Sequence, residues 1–128
     1  MKPKKIFIIS LNNLSLEFWK NTFNFGNSSI WHWKNAQHGI NNLTTIWPDL
    51  IIIDGYWAKE NKMACLRKVL SIVSSAKIFF LTPLPKGPHG TVILDSRLFV
   101  SKLDNEVIDE INYRISNRIA PELLKKGA

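Results

Sequence analysis

Three polar residues, Asp54, Thr82 and Lys102, each stand at the end of a short apolar run. Thr82 lies 28 residues after Asp54 and Lys102 lies 20 residues after Thr82, and each interval suits one helix followed by one strand. Ligands of parallel α/β sheets bind beyond the carboxyl ends of the strands, so residues at these positions are candidates for a site. Asp54 and Lys102 can form an ion pair there, and removing either partner would leave a partly buried charge.

The other reactive side chains do not form a recognisable site. The histidines, His32, His38 and His89, lack the spacing of metal ligands, and Cys65 has no Cys or His at a useful distance. The glycines do not form a phosphate-binding loop. We therefore expect neither a metal site nor a cysteine nucleophile.

Apolar runs and helical periodicities predict the elements that must position the three polar residues. The predicted strands cover residues 5–10, 29–34, 50–54, 77–81 and 98–101. The predicted helices cover about 15–24, with Ser15 as the N-cap, about 41–47 and 59–74, and a last helix starts near Asp104. The run of four aliphatic residues before Asp54 predicts a central strand covered on both faces.

Strands that alternate with helices imply a parallel sheet with helices on both faces. Five such units predict an α/β fold, a doubly wound five-stranded sheet of order 2-1-3-4-5 as in flavodoxin-like proteins. Residues 83–90 read Pro-Leu-Pro-Lys-Gly-Pro-His-Gly, so the helix between strands four and five is predicted to be shortened, to about 91–96, or lost. We assign residues 1–120 to the domain and residues 121–128 to a C-terminal tail.

The chain has five tryptophans, and most of them are expected in the core. Trp31 and Trp33 fall on one face of the second strand. Trp47 shares a predicted buried face with Leu43 on the helix around 41–47. Trp57 lies in a predicted loop above the sheet and is the tryptophan most expected to be exposed.

In this order of elements the chain resembles the receiver domain of two-component response regulators. The resemblance covers essentially the whole chain and rests on three segments. They are Pro-Asp-Leu-Ile-Ile-Ile-Asp at 48–54, Leu-Thr at 81–82 and Phe-Val-Ser-Lys at 99–102. Each segment alone is common in α/β proteins, and the resemblance depends on their occurring together in the right order.

The resemblance implies a role for each matching residue. Asp54 takes the place of the aspartate that accepts a phosphoryl group, and Thr82 matches the hydroxyl residue that binds the phosphoryl oxygens. Lys102 matches the lysine that pairs with the phosphate. Phe99 matches the aromatic residue that changes rotamer when the domain is activated.

The departures from the receiver pattern bear on function. Receivers hold Mg²⁺ with a pair of acidic residues at the end of strand one, where this chain reads Ser-Leu-Asn-Asn at 10–13. Mg²⁺ prefers carboxylate oxygens, and phosphoryl transfer depends on a metal that neutralises the developing charge. The chain also has Leu103 where receivers usually have proline, and Tyr56 and Trp57 follow the acceptor position in place of Met-Pro.

We therefore expect a degenerate receiver, or pseudo-receiver: a non-catalytic signalling module that acts through protein–protein contact, independently of phosphorylation and without a cofactor. Tyr56, Trp57 and Phe99 are its expected binding residues. The first alternative is a phosphorylatable receiver that accepts a phosphoryl group on Asp54 with weakened Mg²⁺ binding. The second alternative is a basic nucleic-acid-binding domain, whose affinity would fall steeply with salt.

Composition bounds the cellular setting and the partners. The 128 residues suit one domain, and a single cysteine excludes an intramolecular disulfide. The apolar run after the N-terminal lysines is too short for a signal peptide or a membrane span, so we expect a cytoplasmic protein without a membrane partner. The net charge of +7 favours a protein partner with an acidic surface, and a homodimer stays an alternative. The basic residues form no long run, which disfavours nucleic acid.

Overall fold

Five apolar runs pair as a parallel sheet in the computed structural model, which describes residues 4–11, 14–55, 62–82 and 95–116. The strands are β1 (Lys5–Ser10), β2 (Ser29–Trp33), β3 (Leu50–Asp54), β4 (Lys77–Leu81) and β5 (Leu98–Ser101). Their order is β2-β1-β3-β4-β5, and all neighbours are parallel. The predicted flavodoxin-like arrangement is confirmed.

The helices that the structure describes are α1 (Leu16–Thr22), α2 (Ala36–Asn41), α3 (Leu43–Ile46), α4 (Lys62–Ile72) and α5 (Asn105–Ser116). Ser15 caps α1 as predicted, because its Oγ accepts a hydrogen bond from the Phe18 N–H at 3.1 Å. Asp104 caps α5 in the same way, with its Oδ1 3.0 Å from the Val107 nitrogen. Each cap satisfies a backbone donor that has no partner within the helix.

The two faces of the sheet carry separate cores. Alternating strand residues point to opposite faces, so β1, β3 and β4 each contribute to both. One core lies under α2, α3 and α4, and its sheet residues are Phe7, Ile9, Ile51, Ile53, Ile78 and Phe80. The other lies under α1 and α5, and its sheet residues are Ile6, Ile8, Leu50, Ile52, Phe79 and Leu81. Every residue of β3 is buried, as expected for a strand covered on both faces.

The segment between β2 and β3 differs from the prediction. The sequence pattern predicted one helix at about 41–47, whereas the structure has α2 and α3 with Asn42 between them. Asn35 begins α2, since its side-chain oxygen accepts a hydrogen bond from the His38 N–H at 3.1 Å. The apolar pattern did not reveal α2, because this helix packs on the sheet through a glycine.

Gly39 lets α2 approach the sheet closely. A Cβ atom at this position would lie 3.1 Å from Cγ1 of Ile9 and 3.2 Å from Cγ of Trp33. Trp33 and Trp31 both pack on Phe7, with ring centroids 5.7 and 6.0 Å away. The prediction that the two tryptophans share one face of β2 is therefore confirmed.

The prediction for Trp47 was wrong. Leu43 is buried, but Trp47 is 57% exposed and ends α3 with a φ of 54°. Pro48 follows it, and a residue before proline avoids the helical conformation. The left-handed backbone takes the Trp47 side chain off the helical face that carries Leu43.

Several predictions fall on residues that the structure does not describe. They are the segment 83–94, the aromatic residues Tyr56 and Trp57, and the tail 121–128. Asp95 and Ser96, at the end of the predicted short helix, are not helical. None of the helices in the described parts of the chain is long and apolar enough to cross a membrane.

Arg97 joins the start of β5 to the end of α4. Its guanidinium donates hydrogen bonds to the carbonyl oxygens of Val73 and Leu70, the latter at 3.1 Å. Asp95 orients it through Oδ1, 3.0 Å from Nε, and Oδ2, 2.8 Å from Nη2. These hydrogen bonds from Arg97 lower the pKa of Asp95 to about 2. The last carbonyl groups of a helix lack partners within it and favour a nearby cation, so this contact holds β5 against α4.

We expect Arg97→Ala to lower the free energy of unfolding by about 1–3 kcal/mol, because two part-buried carbonyl groups lose a charged donor. Arg114→Ala is the matched control: Arg114 forms an exposed pair with Glu110 at 3.1 Å, and its loss should cost less than about 0.5 kcal/mol. Urea denaturation followed by tryptophan fluorescence measures both changes. Equally small changes in the two variants would contradict the proposed role of Arg97.

Candidate functional site

The carboxyl ends of four neighbouring strands are in register. Ser10 on β1 pairs with Asp54 on β3, Asp54 pairs with Leu81 on β4, and Leu81 pairs with Ser101 on β5. The last residues of the four strands therefore form a single row. This row fixes the relative height of whatever follows each strand.

Hydrogen bonding continues one residue past the row. In each case, the residue after one strand donates its N–H to the carbonyl oxygen of the last residue of the next strand. The three bonds are Leu11 to Asp54 at 3.2 Å, Gly55 to Leu81 at 3.0 Å and Thr82 to Ser101 at 2.9 Å. The backbone at this edge is thus set by the sheet itself, which favours a preformed site.

An open pocket of about 440 Å³, which we call the strand-end pocket, lies at this edge. Among the residues that the structure describes, its polar lining includes Asp54, Thr82 and Lys102, which end or directly follow their strands. The described apolar lining includes Leu14, Trp19, Leu81 and Leu103. The structure thus brings the three polar residues together, and their chemical roles stay predictions.

The three polar residues differ in exposure. Asp54 is 3% exposed and Thr82 is 1% exposed, whereas Lys102 is exposed. The ion pairs among the described residues are Arg97–Asp95 and Arg114–Glu110, and a pair between Asp54 and Lys102 is not one of them. The predicted Asp54–Lys102 ion pair is therefore not formed.

The end of β1 contributes a hydroxyl to this edge. Ser10 is fully buried, and its Oγ accepts a hydrogen bond from the Leu14 N–H at 2.9 Å. Leu11 packs against the core under α2, α3 and α4. The side chains described at the end of β1 therefore serve the local backbone and the core.

This donor set does not suit Mg²⁺. The ion prefers several oxygen ligands in octahedral geometry and keeps part of its water shell. Among the described residues, the pocket lining offers one carboxylate, that of Asp54, together with the apolar side chains of Leu14, Trp19 and Leu103. Within the described parts of the chain, no three His, Cys, Asp or Glu residues lie close enough to hold a metal ion.

The predicted binding residue Phe99 lies on β5. Phe99 is 41% exposed, and its ring centroid lies 5.5 Å from that of Phe79. Tyr56 and Trp57 lie outside the described residues. Sequence reasoning missed Leu14 and Trp19, because only the fold brings α1 and the segment before it to the strand ends.

His32 on β2 contacts the backbone of Leu14, one of the residues that line the pocket. One of its ring nitrogens, Nε2, lies 3.1 Å from the carbonyl oxygen of Leu14, to which it donates when protonated. Burial lowers the pKa of His32, and the charge of Lys34 acts in the same direction, while the hydrogen bond to Leu14 opposes them. Leu14 is therefore anchored through its N–H by Ser10 and through its carbonyl by His32.

Comparisons with known proteins support the fold of this chain and do not identify its function. No family model and no curated protein matches the chain. The structure is similar to a fusion protein that carries part of the trimeric coiled coil of yeast Spc42, with a TM-score of 0.62 and 19% identity over 100% of this chain and 83% of that chain. It is also similar to the N-terminal domain of an uncharacterized protein from Wolinella succinogenes, with a TM-score of 0.58 and 14% identity over 97% and 99% of the two chains. At these identities the similarity shows the fold alone.

We expect His32 to make folding stability depend on pH. Because the folded state lowers the pKa of His32, the unfolded chain binds this proton more readily, and stability falls as the pH drops below the ordinary value of 6.5. Unfolding free energies measured at about pH 7.5 and about pH 5.5 should differ less for His32→Gln, which keeps an N–H donor, than for the wild type. His38→Gln, at an exposed position, should behave like the wild type. An unchanged difference in His32→Gln would contradict this account.

Proposed function

We propose that this chain is a pseudo-receiver: a non-catalytic signalling module that acts through protein–protein contact and independently of phosphorylation. The observation that carries the proposal is the strand-end pocket. It is lined by Asp54, Thr82 and Lys102, the residues that match the receiver pattern, while the end of β1 supplies the hydrogen-bonded hydroxyl of Ser10 where a receiver has carboxylates.

The chemistry of phosphoryl transfer supports this proposal. Catalysis of that reaction depends on positioning and on neutralising the charge that spreads over the transferred oxygens, and a bound metal ion does most of the neutralising. Residues 10–13 contribute no carboxylate, so Asp54 would have to bind the metal and accept the phosphoryl group alone. A Lys102 ammonium and a Thr82 hydroxyl do not replace a divalent cation.

The walls of the pocket support it independently. A bound Mg²⁺ ion keeps several water molecules, which need hydrogen-bond partners. Leu14 and Leu103 present apolar surface on the sides of the pocket. A hydrated cation there would lose hydrogen bonds without replacement, so the walls disfavour metal binding further.

The surface around β5 suits contact with a protein. Phe99 and Leu103 are large exposed apolar residues, and Lys102 lies beside Leu103. Aromatic residues are enriched at protein interfaces, and exposed apolar patches mark sites of contact. The net charge of +7 favours an acidic partner and disfavours a second copy of this chain, since like charges slow the encounter.

A phosphorylatable receiver is the second candidate. The presence of Asp54, Thr82 and Lys102 in one pocket favours it, because all three residue types of the acceptor site are retained. The two candidates differ in one observable property, the ability of Asp54 to take up a phosphoryl group when a donor and Mg²⁺ are supplied.

We expect no covalent phosphorylation when the purified protein is incubated with acetyl phosphate and Mg²⁺, because residues 10–13 supply no carboxylate that would hold the metal. Intact mass spectrometry measures the outcome. Asp54→Asn is the matched control for phosphorylation at other residues, and a receiver known to react with acetyl phosphate shows that the reagents work. A gain of one phosphoryl group in the wild type that is absent from Asp54→Asn would overturn the proposed function and establish the second candidate.

A further inference from the structure

The strand-end pocket has the size and place of a small-molecule site. Its volume of about 440 Å³ falls in the range of about 300–1,000 Å³ that is usual for such sites. It lies at the carboxyl ends of the strands, where the chain order reverses between β1 and β3, which is the place where ligands bind in doubly wound sheets.

The described apolar wall of the pocket is fixed in advance. Trp19 is fully buried, stacks on Phe23 with ring centroids 5.8 Å apart and meets Phe18 edge-on at 5.3 Å. Leu14 is held through its N–H by Ser10 and through its carbonyl by His32. A wall that needs no ordering on binding leaves more of the contact energy for the ligand.

The accessible charge in the pocket is positive. Asp54 is almost completely buried and presents little surface, whereas the Lys102 side chain is exposed. Among the described residues, Lys102 forms no ion pair. An anionic group placed at the Lys102 ammonium would gain a charge-assisted hydrogen bond, and the buried Thr82 lines the same pocket.

The two features together select one ligand class. Inorganic phosphate would use the charge and leave the apolar walls uncovered, and a neutral apolar molecule would leave Lys102 unused. A cation would be repelled by Lys102. The complementary ligand combines one anionic group with an aromatic or aliphatic body that covers Leu14 and Leu103.

We propose that this pocket binds a small organic carboxylate, with its carboxylate at Lys102 and its apolar body against Leu14 and Leu103. The inference rests on the proposed function, because a site without phosphoryl transfer is open to another ligand. Binding would then cover Leu103, which belongs to the surface proposed for the protein partner. The ligand is thereby placed to alter that contact.

The test uses 2-naphthoate as the probe and 2-naphthamide as its uncharged analogue, followed by ¹H–¹⁵N NMR of the full chain. We expect 2-naphthoate to cause saturable shifts centred on the amides of Leu14, Thr82 and Leu103. Lys102→Met should weaken 2-naphthoate binding by about threefold to tenfold, the loss typical of an exposed ion pair with an added hydrogen bond, and should abolish its advantage over 2-naphthamide. Lys34→Met, which removes an exposed lysine after β2 at the same edge, should change binding by less than about twofold.

Four results would overturn the inference: no saturable shift, shifts centred elsewhere, equal affinity of the wild type for acid and amide, or wild-type binding by Lys102→Met. Saturable shifts with sodium phosphate but not with 2-naphthoate would also overturn it. Amide spectra of each variant show that the protein is folded, and both lysines are exposed, so neither substitution disturbs the core.

The outcome can be separated from that of the proposed function. If the wild type accepts a phosphoryl group and also binds 2-naphthoate in the Lys102-dependent way, the proposed function fails and the ligand site stands. If it accepts no phosphoryl group and binds no 2-naphthoate, the ligand site fails and the proposed function stands.

Discussion

Parallel hydrogen bonding between β1, β3, β4 and β5 sets the positions of all the polar residues at the site. Ser10, Asp54, Leu81 and Ser101 stand in one row, and the backbone bonds that continue beyond this row determine where Thr82 and Lys102 emerge. A slip of one residue in any of these pairings would turn that strand's side chains to the opposite face and break both cores. The packing of the apolar strands therefore determines the geometry of the site.

The same edge of the sheet determines which chemistry the pocket can support. A metal-dependent site needs hydrated charge and several carboxylate oxygens, whereas the described lining of this pocket combines one buried carboxylate with apolar side chains. Ser10 holds the Leu14 backbone where a receiver would present acidic side chains. The apolar side chains that disfavour Mg²⁺ binding would favour contact with an organic ligand.

The sequence allowed the sheet to be predicted closely, because a strand buried on both faces must be continuously apolar, as Leu50 to Ile53 is. Helix starts followed from local hydrogen bonding at Ser15 and Asp104. Helix α2 could not be predicted in this way, because a close approach through Gly39 leaves little apolar periodicity. The position of Trp47 depended on the backbone turn before Pro48, and helical periodicity does not reveal such a turn.

The candidate site was predictable only in part, for the same physical reason. Asp54, Thr82 and Lys102 could be found because they match the receiver segments in the right order, where clear apolar runs predict the ends of strands. Leu14 and Trp19 could not, because their place in the pocket depends on how α1 crosses the sheet. The hydrogen bonds from Arg97 to the end of α4 could not be predicted either, because no sequence pattern indicates that these residues lie close together.

The central claim is that the strand-end site does not bind Mg²⁺ as a receiver does, and a Mg²⁺ titration followed by ¹H–¹⁵N NMR tests it most directly. The amides of Leu11, Gly55 and Thr82 report on the site, since each is bonded across the strand ends. The account predicts only small, linear shifts at these amides up to tens of millimolar Mg²⁺, with the same behaviour in Asp54→Asn. A saturable shift at low millimolar Mg²⁺ that disappears in Asp54→Asn would contradict it.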